Sequence, residues 1–136
     1  MKKNIYIIIS IFLITSATAL EKTKEEKVAK FVLENIQKDY TSCYSFYRIA
    51  GESFKKANAK TSVIKGLEGS ADIALKFSHD LGEVLNYKLN FMTNNNKKEI
   101  KRLTAIAKKD FNQLTKKYGI LCKNLVENQK QRIDYW

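Results

Sequence analysis

The chain has 136 residues, 44% of them hydrophobic and 29% charged, with no proline and two cysteines. That composition excludes disordered, collagen-like and cysteine-dense chains and fits one globular core. The formal charge of +11 turns attention to anionic partners, although lysines at solvated positions would give the same total.

The first twenty residues differ from the rest. Lys2 and Lys3 precede an apolar run from Ile5 to Ile14, which ends in Ala17-Thr18-Ala19, the small-x-small pattern of a cleavage site. Residues 1–19 read as a secretory signal peptide, with the mature domain spanning 20–136. An uncleaved anchor is the competing reading, but the run is shorter than the ~20 residues that span a bilayer. Export places the chain in the periplasm of a Gram-negative source and otherwise outside the cell, with no transmembrane span once the signal is removed.

Beyond the signal, apolar residues recur at intervals of three and four, the helical period. Thr23-Lys24-Glu25-Glu26 is a capping box and predicts a helix start. The stripe Val28, Val32, Ile36, Tyr40, Cys43, Tyr47, Ala50, Phe54 and Ala57 allows one helix over about 24–58. A break is equally compatible, because Thr41 and Ser42 are good N-cap residues.

Asn58 to Ser62 reads as a turn with Thr61 or Ser62 as the next cap. The following stripe of Ile64, Leu67, Ala71, Ala74, Ser78, Leu81, Leu85, Leu89 and Met92 predicts a second helix extending to Met92. This helix is rich in small residues, including Gly66, Gly69 and Gly82. They either admit the bulky Tyr44, Phe46, Tyr47 and Phe54 from the preceding helix or leave a small-ligand crevice against that cluster.

Thr93-Asn94-Asn95-Asn96 reads as a turn, with Asn96 and Glu99 opening a last long helix. Its stripe is Ile100, Leu103, Ala107, Phe111, Leu114 and Tyr118, and Gly119 is the expected end or kink. A short helix over 120–128 would carry Cys122, and Trp136 would dock as a lid.

In an oxidising compartment, two cysteines are most simply one disulfide. Cys43 and Cys122 are 79 residues apart, so the bond would tie the first helical region to the last. The expected fold is all-α, a small antiparallel bundle of three to five helices stapled by that bond.

No stretch carries a catalytic motif. The lone histidine, His79, has no partner set for nucleophilic or acid–base work, and zinc lacks ligands once the cysteines pair. No Cys-x-x-Cys-His motif offers haem attachment. His79 and Met92, on one predicted helix, would lie about 20 Å apart along its axis. Leu103-Thr104 and Leu114-Thr115 begin like the Leu-Thr-x-x-Gln element of small exported helical chaperones but lack its glutamine. No catalytic residue, metal or cofactor is therefore assigned.

Charge is uneven. Residues 20–96 hold 12 Lys and Arg against 10 Asp and Glu, whereas residues 97–136 hold 11 against 4. Lys101, Arg102, Lys108, Lys109, Lys116, Lys117 and Lys123 form a basic surface on the last predicted helix. Phe111 and Tyr118 fall on its apolar stripe, which removes the exposed stacking residues that nucleic-acid binding needs. The expectation is a non-enzymatic binding or structural module that faces an anionic envelope component or a protein.

Overall fold

A computed structural model describes the backbone of residues 3–136 and the side chains of residues 21–130 and 133–136. Five helices account for nearly all of it: α1 (Lys3–Lys56), α2 (Thr61–Val84), α3 (Leu89–Lys109), α4 (Phe111–Glu127) and α5 (Gln129–Tyr135). The chain divides into two units, residues 1–32 and 33–136. In the first, the side chains from Glu21 to Phe31 are exposed along α1. The side chains of residues 1–19, on which the signal-peptide reading rests, lie outside the described ones.

The second unit is the helical bundle, and each of its long helices contributes a narrow stripe to one core. From α1 come Ile36, Tyr40, Cys43, Phe46, Tyr47 and Ala50; from α4 come Leu114, Tyr118, Cys122 and Leu125. The stripe of α2 is made only of small residues: Ala71, Ala74, Ser78 and Gly82. Their size lets aromatic rings from α1 lie close to α2, and Tyr40 stacks on Phe77 with ring centroids 5.2 Å apart. Tyr40 also donates to the Leu125 carbonyl of α4, and burial pushes its phenol up to about 12.

A polar lock holds α1 to α2. Gln37 Nε2 donates to Ser78 Oγ at 3.1 Å, and the Thr41 and Ser78 hydroxyls are 2.8 Å apart. All three residues are buried. Mutual satisfaction is what makes these groups tolerable there, since an unpaired one would cost about 1–3 kcal/mol.

The predicted disulfide is present. Cys43 on α1 and Cys122 on α4 are bonded, with Cα atoms 5.3 Å apart. Both are fully enclosed at 0% exposure. The long first helix is also present, since α1 continues unbroken through Thr41 and Ser42. Thr23 lies within α1 and starts no helix.

Two predicted boundaries are displaced, for identifiable reasons. The second helix ends at Val84, not near Met92, because Asn86 adopts a left-handed backbone (φ 58°). Tyr87 N–H bonds the Gly82 carbonyl and Asn86 N–H bonds that of Glu83, the paired pattern of a Schellman motif. The same device closes α1: Asn58 has φ 55°, Ala59 N–H reaches Phe54 and Asn58 N–H reaches Lys55.

Thr93 to Asn96 is consequently not a turn but the second turn of α3. Thr and Asn cost only a few tenths of a kcal/mol each relative to better helix formers. Burying Met92 and Leu103 outweighs that cost, even though Asn96 Oδ1 is enclosed without a hydrogen-bond partner among the described residues.

The second displacement concerns the last predicted helix, which is two helices cornered at Asp110. The Asp110 carboxylate accepts from the N–H groups of Asn112 and Gln113 at 2.9 and 3.2 Å, capping α4. Gly119 does not end that helix, which runs on to Glu127. His79 and Met92 therefore lie on successive helices, so a separation along one axis does not describe them.

Candidate functional site

The basic surface read from the sequence is divided by the corner at Asp110. Lys101, Arg102, Lys108 and Lys109 stand on α3, whereas Lys116, Lys117 and Lys123 stand on α4; all are exposed. On α4, Lys116 and Lys123 are seven residues apart and thus on one side, with Ile120 between them and 72% exposed.

These cations are not equivalent. Lys101, Lys108, Lys109, Lys116 and Lys123 make no ion pair among the described residues. Lys117 lies over the Tyr118 ring, 5.5 Å from its centroid.

Arg102, although exposed, is engaged by its own bundle. Its Nε donates to Glu99 Oε2 at 2.8 Å, and its Nη2 donates to Glu99 Oε1 at 2.6 Å and to Tyr118 Oη at 2.7 Å. Ser42 on α1 also donates to Glu99 Oε1, at 2.6 Å. The Glu99–Arg102 pair thereby joins α1, α3 and α4, through Ser42 on one side and Tyr118 on the other, and Phe46 stacks on Tyr118. The sequence placed Arg102 in a partner surface, but its fork geometry serves the bundle itself.

Burial pushes the Glu99 carboxyl up, but the hydrogen bonds from Arg102 and Ser42 and the charges of Arg102 and Lys117 outweigh it. The carboxyl thus sits below its ordinary value of 4.5. A carboxyl lowered on folding stabilises above its unfolded pKa, and that stability is lost as pH falls through the folded value. Glu99→Gln is therefore expected to cost about 1 kcal/mol at pH 7. The two proteins should converge below the ordinary carboxyl range. Urea unfolding at a series of pH values checks this, and a constant difference down to acid pH would contradict it.

The aromatic and glycine cluster does not come together as one site. Phe46 and Tyr47 are buried, Tyr44 is half-buried and Phe54 is 39% exposed near the end of α1. Gly66 and Gly69 face open space, with nothing within 4 Å of where a Cβ would stand. The close approach occurs instead at Gly51, whose Cβ position lies 3.9 Å from Leu67 Cβ, and at Gly82, which Met92 covers. Sequence reasoning missed that contact because it placed Gly82 and Met92 on one helix.

Among the described residues, no group of three or more His, Cys, Asp or Glu side chains is placed to hold a metal ion. His79 is half-buried on α2. No helix among them is long and apolar enough to cross a membrane. No protein-family model, curated protein or solved structure matches the chain.

Proposed function

We propose that this chain is an exported, non-enzymatic binding module whose α3–α4 face engages an anionic polymer or head-group surface of the cell envelope. The observation that carries this reading is the set of five exposed lysines, Lys101, Lys108, Lys109, Lys116 and Lys123, without acidic partners among the described residues. Like charges held on the rigid helices α3 and α4 repel one another, and an anion relieves that repulsion.

Export rests on two features. Residues 1–19 have the composition of a cleaved leader, and the Cys43–Cys122 bond belongs in a non-reducing compartment. The site of action is then the periplasm in a Gram-negative source and the exterior otherwise.

Binding to anionic vesicles and to an anionic envelope polymer at low salt tests the reading, with DNA as a comparison polyanion. Converting Lys101, Lys109, Lys116 and Lys123 to Gln is expected to weaken binding at least tenfold, and added salt should weaken the parent protein progressively. If the parent binds none of these at low salt, the lysines serve solvation only.

A further inference from the structure

A groove of about 580 Å³ runs between the C-terminal part of α1 and the corner of α3 and α4. Its volume lies within the range of about 300–1,000 Å³ seen for small-molecule sites. The floor is apolar and comes from three helices: Ile49 on α1, Ile100 and Ala107 on α3, and Phe111 at the start of α4. The corner at Asp110 creates this arrangement, because it ends α3 at Lys109 and leaves Phe111 half-buried.

Three cations line the same groove: Arg48 and Lys56 on α1 and Lys108 on α3. None makes a hydrogen bond or ion pair among the described residues, and Glu52 is the one carboxylate in the lining. Arg48 and Lys56 are eight residues apart on one helix, about 12 Å along its axis.

We propose that this groove binds a long-chain fatty acid, with the hydrocarbon on the Ile49, Ile100, Ala107 and Phe111 floor and the carboxylate drawn by the combined positive charge of Arg48, Lys56 and Lys108 along its rim. The two halves of the site require each other's chemistry. An apolar floor rewards hydrocarbon and gives a polar ligand little to bond, whereas three cations against one carboxylate favour a single negative head over a neutral one. Of the five lysines of the polyanion face only Lys108 lines the groove, so the two sites share that residue and the other four, Lys101, Lys109, Lys116 and Lys123, can be changed without altering the lining.

The disulfide-intact protein should be titrated with palmitate below its micelle concentration, followed by calorimetry and by NMR shifts. Saturable one-to-one binding is expected, with the largest shifts at Ile49, Ile100 and Phe111. Each methylene removed from the ligand should weaken binding about three- to fourfold. Hexadecanol, with the same chain and no charge, should bind at least tenfold more weakly.

The double variant Arg48→Glu with Lys56→Glu changes exposed side chains only and should lose at least tenfold while keeping its helicity. The quadruple lysine variant of the α3–α4 face should bind palmitate as the parent does. Shifts that fail to saturate, or that map away from the groove in the parent protein, would overturn the proposal irrespective of how any variant folds. Equal binding of hexadecanol, or unchanged binding by the Arg48 and Lys56 variant, would overturn it as well.

Discussion

Replacing Cys43 and Cys122 together with alanine is expected to lower the unfolding free energy by about 4 kcal/mol. The bond closes a loop of 79 residues in sequence. Constraining a loop of that size in the unfolded chain gives roughly 4–5 kcal/mol in the loop-entropy treatment. Since a domain of this size has about 5–15 kcal/mol in total, the variant should approach the edge of stability at ambient temperature. Urea unfolding followed by far-UV circular dichroism, with and without reductant, measures the loss directly. A change below about 1 kcal/mol would show that the helices hold their arrangement without the crosslink, with the unfolded chain already compact.

The second large effect is a reversal of sign within one helix. A Cβ on Gly82 would overlap Met92 Sδ and stand 3.2 Å from its Cγ, and Met92 is itself buried. Gly82→Ala gains helix propensity, yet it must displace an enclosed side chain, and overpacking costs about 1–3 kcal/mol. The net expectation is destabilisation. Gly66→Ala and Gly69→Ala meet open space on the same helix and should each stabilise by about 0.5–1 kcal/mol.

Met92→Ala supplies the control. Once the thioether is gone, Gly82→Ala should become neutral or stabilising, and the resulting cycle isolates the contact. If all three glycine substitutions stabilise equally in the parent, Met92 swings aside without cost.

The all-α fold and the cysteine pair were legible in the sequence because each depends on periodicity or pairing alone, whereas the pattern left the first helical region open between one helix and two, and packing of α1 straight through Thr41 and Ser42 decided it. Helix boundaries were less so. Leu103, Ala107, Phe111, Leu114 and Tyr118 keep the helical spacing straight across Asp110, so a one-residue corner leaves no mark in the hydrophobic pattern. The signal present was the aspartate itself, a strong N-cap residue. Likewise Asn86 looked ordinary beside Thr93-Asn94-Asn95-Asn96, although one asparagine in a left-handed conformation stops a helix and three in helical conformation, of which only Asn96 is buried, do not.

The groove was invisible for a related reason. Phe111 read as part of a continuous helical stripe, Ile49 lies outside the stripe of the first helix, and only the corner brings the two to one cleft. Arg102 shows the converse, a cation that counted toward a surface and is spent on Glu99 and Tyr118.

Trp136 is the chain's one tryptophan, and its indole N–H donates to Asp39 Oδ2 of α1 at 2.9 Å. At 37% exposure, its surroundings change when it leaves that seat. Its emission therefore gauges the docking of the C-terminal segment on α1, separately from circular dichroism, which weighs all the helices together. A fluorescence shift at lower denaturant than the loss of helicity marks that segment as the first to detach, and coincident curves mark one cooperative unit. The protein thus carries an optical gauge for the docking of its last helix, seated on Asp39 of α1.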